Sequence, residues 1–242
     1  MTDMDGQVML ELRDVSLGFQ SSKGTFDDGV HHVLDRVSFK LYENETLGII
    51  GRNGVGKTTM LRIMAEIFSP TSGEIFRTPG KTASLLTLGL GHKVDLSGRD
   101  NAMLSAMLQG ASRQEALGYL EEIKAFSELG DSFEEPVKTY SAGMRSRLGF
   151  TTALLTHVDI LLVDEILSVG DAEFRAKAER AMRERICGEQ TVVFVSHSLA
   201  QVKALCDRVI WIDKGQICAE GEPGTVIAQY RESLTLANAA KK

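Results

Sequence analysis

The stretch Leu47-Gly48-Ile49-Ile50-Gly51-Arg52-Asn53-Gly54-Val55-Gly56-Lys57-Thr58-Thr59 constrains this chain more than any other. It reads as a short buried strand, a glycine-rich loop and a helix starting near Gly56, which carries Met60, Leu61, Met64, Ile67 and Phe68 at helical spacing. Gly51 to Thr58 fit the phosphate-loop pattern G-x-x-x-x-G-K-[ST]. The glycines open backbone dihedrals closed to other residues and let the chain approach a phosphate. Amides gathered at the positive end of a helix dipole then make an anion nest. In such a loop Lys57 reaches the β- and γ-phosphates and Thr58 offers its hydroxyl to Mg²⁺. The pattern predicts a nucleoside-triphosphate site.

Bulk properties exclude several alternatives. A length of 242 residues suits one large domain, or a domain with an inserted lobe. A formal net charge of -6 argues against nucleic acid or an anionic membrane as the main partner. The longest apolar run, around Ile160 to Leu167, is broken by Asp164 and Glu165 and falls short of a membrane span. Met1 to Gln7 lacks the basic-then-apolar order of a secretory signal. Cys187, Cys206 and Cys218 are odd in number and form no CxxC pair, which points to a reducing compartment and buried, inert thiols.

Periodicity divides the rest of the chain. Strands are expected at Val8–Arg13, continuing through Val15, Leu17 and Phe19, and at Val37–Leu41, with a polar loop from Gln20 to Val30. Ser69 to Gly73 is a turn cluster, followed by short strands near Glu74–Phe76 and Ala83–Leu86. Three helical segments, Asn101–Leu108, Arg113–Leu129 and Ala142–Leu155, then read as a helical lobe inserted into an αβ chain. Strand–helix alternation resumes with a strand at Ile160–Val163, a charged helix at Ala172–Arg185, a strand at Thr191–Val195 and a helix near Leu199–Leu205. A hairpin follows, Val209–Ile212 with Ile217–Ala219, turned at Lys214-Gly215. Pro223 opens a last helix to about Ser233, and Asn238–Lys242 is expected to fray.

Further chemistry sits at strand and helix ends. The strand Ile160–Val163 is apolar throughout, as in a parallel sheet covered on both faces, and ligands bind beyond the carboxyl ends of such strands. Asp164 is placed to hold Mg²⁺ directly or through water, and Glu165 to polarise an attacking water. His197, just past the strand Thr191–Val195, is either a structural histidine or a contact to a γ-phosphate. Ser141, before Ala142, Gly143 and Met144, is a good N-cap with a bare first turn behind it. This is either an ordinary capped helix or a second anion-binding terminus, aimed at a phosphate held by another subunit.

Together, the phosphate loop, Tyr140-Ser141-Ala142-Gly143-Met144, Asp164-Glu165 and His197 resemble the nucleotide-binding subunit of an ABC transporter in order and spacing. The likeness runs from about Val8 to Tyr230. Ser168-Val169-Gly170-Asp171 is similar to the D-loop of that family. The segments Pro136 to Arg145, Leu85 to Gly91, Leu96 to Asn101 and Asp164 to Asp171 are close to the P-V-x-T-Y-S-S-G-M-R, L-L-x-L-G-x-G, L-T-G-R-x-N and D-E-V-L-A-V-G-D of ATPases that export O-antigen, capsule and teichoic-acid chains.

The resemblance implies an α/β fold, a RecA-like P-loop core with an antiparallel β-subdomain and an inserted helical subdomain. Residues 1–242 would form a single ATPase domain: 7–92 and 157–222 the core with its β-subdomain, 93–156 the helical insertion, 223–242 a C-terminal helix and tail. It implies ATP and Mg²⁺ as ligands, Glu165 and His197 as catalytic residues, Thr58 and Asp164 on the metal, and Phe19 as the adenine-stacking aromatic. For Phe19 a plain core role is equally open, since it continues an alternating strand. It further implies a homodimer in which Ser141 to Met144 close over ATP on the other copy. A separately encoded permease would hold the dimer at the cytoplasmic face of the inner membrane, docking near Gly89–Asn101 through Leu88, Leu90, Val94 and Leu96. The substrate would be a lipid-linked polysaccharide, with no nucleic acid involved; another lipid or drug exporter and a soluble, non-transport ATPase are the alternatives. Two departures stand out. Gln109 is the only glutamine between Thr78 and Ser112, so the glutamine loop of the wider family has no clear counterpart. The sequence stops at Lys242, leaving no room for the carbohydrate-binding domain of some O-antigen ATPases, so cap recognition in cis is not expected.

Overall fold

The computed structural model describes residues 6–20, 30–86, 92–164 and 170–239. Along the chain the elements run β1 (Val8–Gln20), β2 (Val30–Tyr42), β3 (Thr46–Ile50), α1 (Lys57–Met64), β4 (Ser72–Arg77) and β5 (Ala83–Leu85). Next come α2 (Gly98–Leu108), α3 (Arg113–Ser127), α4 (Ala142–Leu155), β6 (Ile160–Asp164) and α5 (Ala172–Ile186). The chain ends with β7 (Thr191–Val195), α6 (Leu199–Leu205), β8 (Arg208–Asp213), β9 (Gln216–Gly221) and α7 (Pro223–Ala239). The chain divides into two compact units, one of residues 1–81, 162–165 and 186–242, the other of residues 82–161 and 166–185.

In the first unit β3 is buried at every position and lies parallel to β7 on one side and β8 on the other. The carboxyl end of β6 borders β7, and β9 closes the far edge antiparallel to β8. The β8–β9 hairpin turns at Lys214 (φ 47°) and Gly215 (φ 79°), the paired positive φ of a type I′ turn. A separate antiparallel sheet has the order β2-β1-β4. Its long strand β1 keeps Leu12 and Val15 both buried, although three residues apart, because Asp14 sits at φ 48° and the register shifts there.

Several element boundaries differ from expectation. β2 begins at Val30 rather than Val37, because His32, Asp35 and Arg36 disguise a pairing that runs from Gln20↔Val30 to Val8↔Tyr42. Residues 21–29 of the expected loop lie outside the described residues. The helix α1 stops at Met64: Glu66 takes φ 56°, the amides of Ile67 and Phe68 return to the Arg62 carbonyl, and Ile67 is 52% exposed. The last helix runs past Ser233 to Ala239, started by the Glu222 carboxylate accepting from the Gly224 and Thr225 amides at 2.8 Å each. Only Cys206 is a buried thiol, with burial pushing it up to about 12; Cys187 and Cys218 are exposed, so the expectation of buried thiols fails for two of three.

In the second unit β5 lies beside β6. The helices α2, α3 and α4 close on Phe133, with Leu120, Ile123, Leu129, Val137 and Leu148 around it. Ser97 caps α2, and Ser112 with Glu115 forms a reciprocal capping box on α3. Buried Asn101 accepts from the Lys93 amide at 2.7 Å and donates to the Lys93, Leu96 and Ser97 carbonyls, fixing the loop before α2. Val94 and Leu96 stay exposed at 54% and 37%, so neither is a core residue; Leu88 and Leu90 lie outside the described residues.

Candidate nucleotide site

The phosphate loop leaves the carboxyl end of β3, where parallel neighbours on both sides fix its starting point. Gly51 (φ 156°) is obligatory, since a Cβ there would meet the Ile212 carbonyl oxygen at 2.3 Å. Gly56 (φ 102°) is the N-cap of α1, and a Cβ there would meet the Val33 carbonyl oxygen at 2.8 Å. Lys57 is buried, and its ammonium donates to the carbonyls of Gly51 and Arg52 at 2.9 and 2.8 Å, cinching the loop into a ring. These charge-assisted bonds hold the cation at the mouth of α1.

A cavity of about 510 Å³ opens over this loop, walled by Val33, Asn53, Gly54, Gly56, Lys57, Thr58, Thr59, Asp164 and His197. The three separate sequence motifs therefore reach one hollow, which is within the size range of a small-ligand site. Asp164 arrives at the end of β6, half-buried. His197 arrives in a tight turn: the Ser196 hydroxyl donates to Gln201 at 3.1 Å and accepts from the Ser198 amide, and Ser198 caps α6. The Asp164 carboxylate and Thr58 hydroxyl, hard oxygen donors on one wall, fit Mg²⁺, which takes few protein ligands and keeps water and phosphate oxygens. No cluster of three metal-ligating side chains occurs among the described residues.

The other expected residues are placed as follows. Arg52 and Val55 are not on that wall; Arg52 instead borders a second hollow of about 70 Å³ with Trp211, Asp213 and Tyr230. Phe19 is 47% exposed and meets Phe68 edge-on at 6.1 Å, which removes the core reading, yet it does not line the cavity. Glu165, Ser168 and Val169 lie outside the described residues. In the second unit Ser141 caps α4, accepting from the Met144 amide at 3.1 Å. A Cβ on Gly143 would meet only the Ser141 hydroxyl, at 3.8 Å, so local packing does not demand glycine there. Gly170 takes φ 61°, and Asp171 caps the start of α5 by accepting from the Phe174 amide at 3.0 Å. That bond, with the Arg147 guanidinium beside it, holds the Asp171 carboxyl below its ordinary range. His92 is held below the ordinary imidazole range by burial and by the charge of Arg145.

Sequence reading missed Val33, which enters the cavity wall from a part of β2 that does not look like a strand. It also missed Arg147, which meets Asp171 and Glu128 from the second turn of α4. Its only trace in sequence is a lone arginine two residues beyond the Gly-Met-Arg run.

No helix among the described residues is long and apolar enough to cross a membrane. Residues 34–168 match the family described as ABC transporter. The chain is 42% identical over 206 residues to an O-antigen export system ATP-binding protein of Myxococcus xanthus, covering 85% of this chain and 47% of the relative. It is 39% identical to the O-antigen export system ATP-binding protein of Klebsiella pneumoniae, over 83% of this chain and 81% of that one. A teichoic acids export ATP-binding protein of Listeria innocua is 43% identical, over 82% of this chain and 59% of the relative. The chain thus spans about half the length of some relatives and most of others. Among solved structures, a dimeric ATP-binding cassette in a post-hydrolysis state bound to ADP and Pi aligns with TM-score 0.68 at 21% identity, over 89% of this chain and 99% of that one, a likeness of fold. A family match over more than half the sequence, on a cavity built by the family's phosphate loop, means that this chain belongs to the ABC transporter family.

Proposed function

We propose that the protein is the ATP-hydrolysing subunit of an exporter that moves a lipid-linked polysaccharide across the inner membrane. The observation that carries this reading is the single cavity shared by the phosphate loop, Asp164 and His197. The relatives named for O-antigen and teichoic-acid export support the choice of cargo class. The loop glycines and Lys57 bind the phosphates, Thr58 and Asp164 hold Mg²⁺, and His197 contacts the γ-phosphate. Mg²⁺ held there would supply positive charge against the phosphate oxygens. Glu165 accepts the proton of the attacking water.

Two copies pair head to tail, as supported by the dimeric cassette of similar fold. Ser141, Ala142, Gly143 and Met144 of one copy then close on the nucleotide of the other, and the bare Gly143 leaves room for it. A separately encoded permease anchors the dimer at the cytoplasmic face, with exposed Val94 and Leu96 in the docking region. A net charge of -6 disfavours nucleic acid as the partner.

Glu165→Gln tests the reaction. ATP affinity is expected to hold while hydrolysis falls by on the order of 10²–10⁴, the usual scale for a general base. ATP should then trap a stable dimer, seen as a concentration-dependent increase in size. Near-normal turnover would place the base elsewhere. Co-purification with a permease beside glycosyltransferase genes separates polysaccharide export from lipid or drug export and from a soluble role.

A further inference from the structure

One arginine joins two motifs that the functional reading treats separately. Arg147 lies on α4, in the helix capped by Ser141, and its side chain is only 18% exposed. Its guanidinium pairs with the Asp171 carboxylate, donates to Glu128 at 3.2 Å, and lies over the Phe174 ring at 4.7 Å. Gly170 is pressed against the same group: a Cβ there would meet Phe174 at 3.0 Å and Arg147 Nε at 3.3 Å. Phe174 is 1% exposed and wedged edge-on between Phe126 and Phe150, at centroid distances of 6.0 and 6.2 Å. Glu128 extends the set outward to Lys177 at 2.7 Å, which also donates to the Phe126 carbonyl at 2.9 Å.

The geometry points to Arg147 as a positioning residue that locks the Gly170–Asp171 turn to the Ser141 helix, so that both motifs are presented to the partner copy's nucleotide as one rigid element. The inference rests on the dimeric ATPase reading above. The arrangement suits such a task. The guanidinium is a planar fork that can grip two carboxylates at once while stacking on an aromatic face, which an ammonium cannot reproduce. Asp171 is doubly used, capping α5 with one oxygen and meeting Arg147 with the other. Releasing Arg147 would therefore free the turn and the start of α5 together. The phosphate loop is built by other residues, so nucleotide capture by a single copy should be insensitive to Arg147.

The test compares Arg147→Ala, Arg147→Lys, Asp171→Ala and the double variant Arg147→Ala/Asp171→Ala in the full chain. Four measurements are made: binding of a fluorescent ATP analogue, ATPase kcat and KM, melting temperature, and amide hydrogen exchange of residues 170–176. Expected for Arg147→Ala are analogue affinity within about two-fold of wild type, kcat lowered by about ten-fold or more, and faster exchange at 170–176. Arg147→Lys should recover folding but not kcat. The double variant should be no slower than the slower single, as two members of one coupled unit behave. Full kcat with unchanged exchange in Arg147→Ala would overturn the inference, as would losses that multiply in the double variant. An absence of hydrolysis by the wild-type chain would overturn the functional reading alone, and the exchange data would still decide whether Arg147 holds the turn.

Discussion

The phosphate loop and the Ser141–Asp171 pair of motifs are held in place by opposite means. The loop is fixed by backbone: a fully buried strand between two parallel neighbours, then glycines seated against the carbonyls of Ile212 and Val33. Even its buried cation, Lys57, donates to the loop carbonyls of Gly51 and Arg52. The second arrangement is fixed by side chains near the surface, Arg147, Asp171, Glu128 and Lys177 around an aromatic wedge. A backbone device depends on burial and dihedral freedom, which salt does not touch. Glu128, Asp171 and Lys177 are partly exposed, so added salt weakens their pairing, although less around the mostly buried Arg147 guanidinium. The first arrangement should therefore tolerate salt and the second should loosen with it.

The sharpest way to break this comparison is Phe133→Ala. Phe133 is fully buried at the centre of the second unit's core, and truncating such a ring costs about 3–5 kcal/mol. If the two arrangements are independent, the variant should show an early unfolding transition and lose hydrolysis, while analogue binding at the phosphate loop survives below that transition. Binding and core structure lost together in one transition would mean that the loop depends on the helical unit.

The same contrast explains what could be read from sequence. Gly51, Gly54, Gly56 and Lys57 were legible because their spacing is itself the device. The Lys214-Gly215 turn was legible for the same reason, since a tight turn is a local contract between neighbours, whereas the Ser112–Glu115 capping box emerged only from the structure. β2 was read short, because Asp35 and Arg36 interrupt the alternation while their backbone keeps pairing with β1. The end of α1 was read late, because apolar Ile67 and Phe68 keep helical spacing while the chain has already turned at Glu66. Arg147 was invisible, since its partners Glu128 and Asp171 lie far along the chain and nothing in its neighbours predicts them. Glu165 shows the converse: the role proposed for it rests on motif alone.

Phe19→Ala sharpens the comparison from the first unit's side. The ring is 47% exposed and touches Phe68 edge-on, so its loss should change the melting temperature little. If adenine stacks on it, ATP affinity should fall by roughly 1–3 kcal/mol, the scale of a base–aromatic contact. Affinity unchanged, with Phe68 newly exposed to quenchers, would leave Phe19 as a local lid over Phe68.

The smallest expected effect concerns Ser141, where an ordinary cap and a nucleotide contact make different demands. Its hydroxyl accepts from the Met144 amide at 3.1 Å, and removing such a cap costs about 1 kcal/mol. Ser141→Ala should therefore lower the melting temperature by about 2–4 °C, the shift expected for a domain of this size. That result alone does not separate the two roles, because a loosened helix start would also blunt hydrolysis. Ser141→Asp does separate them. Aspartate caps as well as serine and favours the helix dipole, so stability should be retained. A carboxylate facing the partner's triphosphate would repel it, so ATP-driven dimerisation and hydrolysis should collapse in a protein that melts like wild type. Normal hydrolysis in Ser141→Asp would reduce Ser141 to a cap and return the second phosphate contact to Gly143 and the amides behind it.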